Sequence, residues 1–433
     1  MSYRPPFRRA GRSFGALLPL IGLLMTGRAT AQLQSQVEQA EATVPERQSV
    51  LQRSRADYDA LGGRLGGFLF NSAVTVTETY NSNVYVSHAS ALSDLFTTVS
   101  PALDLVSDWD THFLALHARD DTHRYDQLVS ENNSDATVGL DGRLDILRNV
   151  ELLGSFSESL LHELRTSPDS VGNQKSPIEY RLDSAHVTFL RDPGQLGLKL
   201  DADLDSFHYQ NGVTLTGAVI PETDRNRYDF LVTPRVSYEI AKGYHAFIKF
   251  PLNSHIYQTT PDISGLDRNS RGYEIDGGTA IDLGKVVTAE IFLGYLQQHY
   301  NDAQLHPLSG LSYGANCLWN FSDVSSLRAN VTHLVREAIL PGVSSDLQTG
   351  LAASIEHELR RDVLISGGAR YELDDFVGGA RTDHNYQGEL SVRYLVNHRL
   401  YFDFRGSFRA RESDSSTFNY RQNILSAAIH LQQ

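Results

Sequence analysis

The chain of 433 residues has one cysteine, Cys317, and only two tryptophans and two methionines. A lone cysteine excludes a disulfide framework within the chain. Beyond the first 25 residues there is no run of 18 apolar residues, which excludes a membrane-spanning helix. Positive charge is also scarce: 38 Lys+Arg stand against 52 Asp+Glu, a net charge of −14. Nucleic-acid binding rests on cations that neutralise phosphates, so this balance excludes nucleic acid as a partner. Metal spacing is missing as well. His162-Glu163 and His357-Glu358 lack the second histidine of a zinc-binding helix, and the 16 histidines are scattered. A hydrolase would need a nucleophile, a base and an orienting group gathered on neighbouring strands. Serines and histidines are plentiful, but the pattern selects no triad. The sequence therefore implies no cofactor, no metal and no catalytic residues.

What is present begins with an export signal. Arg4, Arg8, Arg9 and Arg12 precede an apolar stretch from Phe14 to Met25, and Ala29-Thr30-Ala31 reads as a cleavage site. Residues 1–31 are thus expected to be a signal peptide. Their removal takes away five arginines and no acid, moving the net charge from −14 to −19. An exported chain without a spanning helix is periplasmic, secreted or an outer-membrane barrel. Residues 32–67 form an expected periplasmic extension: polar, helix-compatible segments broken by Pro45, then a flexible hinge at Gly62, Gly63, Gly66 and Gly67. Residues 32–57 are open to two readings, a loose tail or a docking segment for a periplasmic partner.

From Phe68 to the C-terminus one pattern recurs. An alternating segment meets a tight turn, a second alternating segment follows, and then a longer polar loop. In Leu400–Arg411, Leu400, Phe402, Phe404 and Phe408 alternate with Tyr401, Asp403, Arg405 and Arg409. Leu196–Asp205 and Ala136–Ile146 behave in the same way. A period of two with charge on one face means one wet face and one apolar face. Tight turns fall at Asp108-Trp109-Asp110, Arg148-Asn149, Asp192-Pro193-Gly194, Ala241-Lys242-Gly243, Gly284-Lys285, Ser322-Asp323, Arg361-Asp362 and Asn397-His398. Eight such turns and nine loops join eighteen strands, an even number as both ends on the periplasmic side require. The expected fold is all-β: a closed antiparallel transmembrane β-barrel of about eighteen strands over residues 68–433, embedded in outer-membrane lipid of a Gram-negative bacterium. Pro101, Pro234 and Pro251 fall inside these strands and are expected to sit at bulges.

A barrel of 16–18 strands encloses water rather than a packed core. The alternation assigns Asp141, Arg143, Asp145, Lys199, Asp201, Asp203, Asp205, Arg235, Arg370, Glu389, Arg393, Asp403, Arg405 and Arg409 to the lumen. They either hydrate and brace a wide channel or form a track for a polar solute. Tyr228, Tyr238, Tyr244, Phe250, Tyr273, Tyr295 and Tyr394 are expected at the membrane interfaces.

Two segments carry a family resemblance. Arg55-Ala56-Asp57-Tyr58-Asp59-Ala60-Leu61-Gly62-Gly63-Arg64-Leu65-Gly66-Gly67-Phe68 is one, and Glu78-Thr79-Tyr80-Asn81-Ser82-Asn83-Val84-Tyr85 is the other. Together they resemble the entrance of an outer-membrane β-barrel porin family common in alphaproteobacteria. Ser100-Pro101 followed by Trp109 also fits that family's second strand. The resemblance picks out Arg55, Tyr58, Asp59, Gly62, Arg64, Gly66, Phe68, Tyr80, Asn83 and Tyr85 as an entrance motif. Members are often associated with exopolysaccharide synthesis and export. The resemblance thus implies an outer-membrane conduit for polysaccharide. A small polar solute in the lumen is the alternative, and if residues 32–57 dock a periplasmic partner, that partner is expected to be a polysaccharide-export protein. The alternatives are a general diffusion porin and a structural barrel.

Overall fold

The computed structural model describes residues 48–433 apart from Val171, Pro193 and Pro341. The expected signal peptide, residues 32–47 of the expected extension, and Pro193 of one expected turn lie outside the described residues.

Among the described residues, eighteen antiparallel strands form one ring. They are β1 (Phe68–Asn81), β2 (Asp94–Ser107), β3 (Phe113–Tyr125), β4 (Asn133–Leu147), β5 (Val150–His162) and β6 (Glu179–Arg191). Next come β7 (Leu196–Tyr209), β8 (Arg227–Ala241), β9 (Tyr244–Lys249, resumed as Leu252–Tyr257), β10 (Ser270–Asp282), β11 (Val287–Tyr300) and β12 (Leu308–Ser322). The ring is completed by β13 (Ser325–Glu337), β14 (Ser345–Arg360), β15 (Val363–Val377), β16 (Thr382–Asn397), β17 (Leu400–Ser413) and β18 (Tyr420–Gln432). β1 pairs with β18 from Ala73↔Gln432 to Asn81↔Ile424, which closes the barrel and removes the free edges.

β18 ends before it covers the first residues of β1. The segment expected to be a flexible hinge fills that place. Gly63–Leu65 pairs with Phe68–Phe70 as a short hairpin, with Gly66 at φ 60. Gly62 and Gly66 supply the left-handed geometry here, and the freedom read from the glycines in the sequence is spent on a tight fold-back.

The expected bulges at the three prolines do not occur. The pairs flanking Pro101 (Val99↔Thr122 and Ala102↔Arg119) keep one register. So do the pairs flanking Pro234 and Pro251 (Val232↔Leu252 and Arg235↔Lys249). Proline only opens the ladder locally, and β9 is interrupted at Phe250-Pro251 without inserting a residue. Side-chain alternation confirms this: Ile248, Phe250, Leu252 and Ile256 all remain on the exposed apolar face. The register shifts instead lie beside tight turns, at Asp145/Leu147, Glu239/Ala241, Trp319/Ser322, Glu358/Arg360 and Leu395/Asn397.

The outside of the ring is apolar and the inside polar, the reverse of a soluble core. Leu200, Phe230, Val236, Ile291, Leu390 and Phe404 are exposed, while Asp276, Ser312, Asp346 and Asp383 are buried. Six of the seven aromatics expected at the interfaces are exposed, and Tyr273 is half-buried.

Candidate functional site

The inner wall is built of short-range charge pairs. Asp141 meets His117 at 3.2 Å, Arg143 meets Asp145 at 2.9 Å, and Lys199 meets Asp201 at 3.1 Å. Asp203 holds His186 at 2.6 Å, and the Ser184 hydroxyl donates to Asp205 at 2.5 Å. Arg235 pairs with Glu290 at 2.7 Å while lying over the Phe247 ring. Arg370 pairs with Glu372 at 2.5 Å, Arg393 with Asp403 at 2.7 Å and Arg405 with Glu389 at 3.3 Å. Arg409 Nε has no hydrogen-bond partner among the described residues. These side chains run down most of the wall, and only Asp203, Asp205, Arg370 and Arg409 of the fourteen reach the cavity described next.

At the long-loop end the wall changes character. The inward-facing positions there are apolar: Leu161, Tyr180, Leu182, Phe207 and Tyr209 cluster with Ile178. Ile178 belongs to the loop 163–178 between β5 and β6, so this patch seats the root of the loop inside the barrel. The loop then crosses the mouth. Arg225, from the loop between β7 and β8, binds Glu163 at 2.7 Å and Glu222 at 2.8 Å, approaches Asp169 at 4.0 Å and lies over Tyr209. Ile339 N donates to Asp169 at 3.4 Å, and Arg411 donates to the Thr166 carbonyl at 2.7 Å. Arg381 donates to the Pro168 carbonyl at 3.3 Å. Ile339 lies in the loop between β13 and β14, nearly opposite β5–β6 in the eighteen-strand ring, so this contact spans the opening. A second small cluster, Ala338, Val343 and Phe376 with Leu340, holds that opposite loop. Arg268 ties it down through the carbonyls of Ala338 and Val343.

Burial disfavours the Arg225 charge, but Tyr209, Glu163 and Asp169 outweigh that and hold its pKa well above the ordinary value. Burial pushes the Asp169 carboxyl up, and Glu163 adds to this while Arg225 opposes it. Glu222 is raised by burial too, again against Arg225.

Beneath the crossing loop lies a cavity of about 390 Å³. Ten carboxylates and six guanidinium groups line it, which makes its field negative. Fixed charges along a pore bias which ions enter. Potassium is therefore expected to permeate better than chloride. Asp203→Asn combined with Asp205→Asn should bring the permeability ratio closer to unity. The reversal potential of the purified protein in a KCl gradient measures this.

At the tight-turn end a second segment lies along one side of the inner wall. Val50 N donates to Ser326 Oγ at 2.8 Å and Leu51 N to Glu356 at 2.9 Å. Arg55 pairs with Glu358 at 2.8 Å, and Arg328 donates to Gln52 at 2.6 Å. Further along, His398 contacts the Asp59 carbonyl at 2.9 Å and Gln432 donates to the Tyr58 carbonyl at 3.0 Å. The segment thus runs from β13–β14 to β18 against inward-facing side chains.

The entrance motif is divided between the two ends. Arg55, Tyr58, Asp59, Gly62, Arg64, Gly66 and Phe68 gather at the tight-turn end, where Arg64 pairs with Asp108 and Phe68 meets Trp109 edge-on at 5.4 Å. Tyr80, Asn83 and Tyr85 lie at the far end of β1, fourteen residues or about 45 Å of strand away. Tyr80 is exposed, Asn83 is buried and bonds the Ser87 and Arg421 carbonyls, and Tyr85 lies under Arg165. They do not form one site.

One serine-hydrolase-like string deserves placing: Gly310-Leu311-Ser312-Tyr313-Gly314. It lies within strand β12, whereas a nucleophile elbow needs a sharp strand-to-helix turn. Ser312 is fully buried and its hydroxyl donates to Glu274 at 2.7 Å. Of the two His-Glu pairs, His162 binds Asp135 and Glu163 binds Arg225, while His357 contacts Ser325 and Glu358 binds Arg55. Among the described residues no group of three or more His, Cys, Asp or Glu is placed to hold a metal.

A closed barrel with an apolar exterior and a charged interior is a channel-like outer-membrane protein. The chain belongs to the family described as "Putative beta-barrel porin 2", whose sequence model matches residues 55–433. It is an outer-membrane protein of a Gram-negative bacterium. Solved structures similar to it include OpdL of Pseudomonas aeruginosa, at 11% identity and TM-score 0.43, covering 85% of this chain and 99% of that one. The siderophore receptor PiuA of Acinetobacter baumannii gives 10% identity and TM-score 0.43, covering 89% and 85%. No curated protein matches the chain.

Proposed function

We propose that the barrel is a conduit for a hydrated polar polymer, with exopolysaccharide export as its role. The observation that carries a polar passage is the continuous charged inner wall, in which most ions are already paired. A paired wall presents water and hydrogen-bonding groups without gripping a solute tightly. The polymer is supported by the resemblance of the segments around Arg55–Phe68 and Glu78–Tyr85 to barrels associated with polysaccharide. The fourteen predicted lining residues serve as the wall of this passage, and an export partner engages residues 32–57 from the periplasm.

The cavity under the crossing loop favours a second reading. Its volume, about 390 Å³, falls in the range of small-molecule sites, which suits a diffusion porin for small solutes. Gene deletion separates the two. Export predicts less extracellular polysaccharide with near-normal growth on small sugars and amino acids. Unchanged polysaccharide with a small-solute uptake defect would establish the diffusion porin instead.

A further inference from the structure

We propose that residues 48–60 form a detachable strap that narrows the periplasmic mouth from the side of β12–β18. This goes beyond the export reading and holds for any solute.

The segment is held to the wall almost wholly by polar contacts, among them His398 on the Asp59 carbonyl and Gln432 on the Tyr58 carbonyl. Its attachments are polar: the bonds of Val50, Leu51, Gln52 and Arg55 to Ser326, Glu356, Arg328 and Glu358, a bond from Asn320 to the Gln48 carbonyl at 3.2 Å, and one from Arg53 to the Asp323 carbonyl. Water replaces such bonds at small net cost when both partners are wetted on release. Val50 is the one apolar side chain it buries fully. Leu61, just beyond, is exposed. Neither the turn Val50–Gln52 nor residues 53–60 pair with a barrel strand. The wall behind them is different: β14 and β15 share an almost unbroken ladder from Ser345↔Val377 to Arg360↔Val363. Local opening starts where contacts are fewest and most polar, so the strap leaves before the wall loosens.

The strap is also built to move as a unit. Ser49 N bonds the Gln52 side chain at 3.1 Å, the Ser54 hydroxyl bonds Asp59 at 2.5 Å, and Arg55 N bonds Asp59 at 2.6 Å. These internal bonds survive detachment. Its root is fixed, because Gly63–Leu65 is paired to β1, and between strap and root lie Leu61 and Gly62, the latter at φ 64. A self-bonded strap, a glycine pivot and an anchored root make a hinged arm. In the closed position it covers Ser326 and Glu356, both buried.

The test is conductance of the full-length barrel in planar bilayers. The lone native cysteine makes the chemistry clean: Val50→Cys and Ser326→Cys are placed in a Cys317→Ala background and oxidised to lock the strap. The locked form should conduct at a low level, and reduction should restore openings. Deleting residues 48–60, with the signal retained, should raise mean conductance about twofold or more, since removing one constriction lowers the resistance of the path to ions. Glu358→Gln should raise open probability without changing the size of the open level. Should the deletion fail to assemble, oxidised and reduced forms of the cysteine pair decide the matter alone. Equal conductance in the locked and reduced forms would overturn the proposal.

Discussion

Leu200→Arg is expected to cost the assembled barrel about 2–4 kcal/mol, because it sets a cation into the hydrocarbon layer. Leu200 is 43% exposed on the apolar face of β7, opposite Phe189 on β6 and Pro234 on β8. A soluble protein would tolerate a charge at such an exposed position. In lipid the same exposure means there is no water to solvate it. Phe404→Arg on β17, 53% exposed, should behave alike. Asp203→Asn is the control on the opposite face of β7. It keeps a hydrogen-bonding group beside His186 and stays near the aqueous lumen, so assembly should change little. The yield of folded barrel on an unboiled gel, together with the urea midpoint in detergent, measures each variant. Similar losses for Leu200→Arg and Asp203→Asn would reverse the assignment of inside and outside.

This contrast rests on a part of the fold that local sequence rules reach. Alternation with period two is imposed residue by residue, since lipid and water lie on opposite faces of every strand. The tight turns are equally local: all eight expected positions separate consecutive strands, because Gly, Asn and Asp mark turns in any context. What the sequence leaves illegible depends on distance or on conformation. Glycines at 62–67 read as looseness, yet positive φ at Gly62 and Gly66 is what the hairpin requires. Prolines read as bulges, yet here they interrupt hydrogen bonds without adding a residue, so parity survives. The inward-facing apolar residues Leu182 and Phe207 break the rule that apolar means lipid, because their neighbour is a loop that returns from outside. The pairing of Glu163 with Arg225 joins two loops across 62 residues of sequence, and neither loop carries a local pattern that announces it. The two segments of the entrance motif are near one another only in sequence, since a barrel strand carries its two ends to opposite sides of the membrane.

Arg225→Ala should release the crossing loop and widen the long-loop half of the pore. Arg225 is 4% exposed and faces Glu163, Glu222 and Asp169 together. Removing one partner from a buried ionic group strands the others, at a cost of about 3–5 kcal/mol. The strands remain laddered to their neighbours, so the cost falls on the loop, which escapes it by moving its carboxylates into water. Single-channel conductance should rise, while the urea midpoint of the barrel stays near that of the unmodified protein. The pH dependence has a definite sign. Asp169 has its pKa raised by burial in the docked loop, so docking is fully favoured below the ordinary carboxylate range and weakens as pH rises through the raised value. Without the opposing guanidinium that dependence becomes steeper. The Arg225→Ala barrel should therefore be narrow in acid, where the carboxylates are neutral, and wide at neutral pH. Arg225→Lys keeps the charge but not the two-pronged contact with Glu163, and should fall between them. A conductance of Arg225→Ala equal to that of the unmodified barrel at both pH values would mean that the loop is held by its apolar root around Ile178 and Leu182, and that the ion cluster contributes nothing to its position.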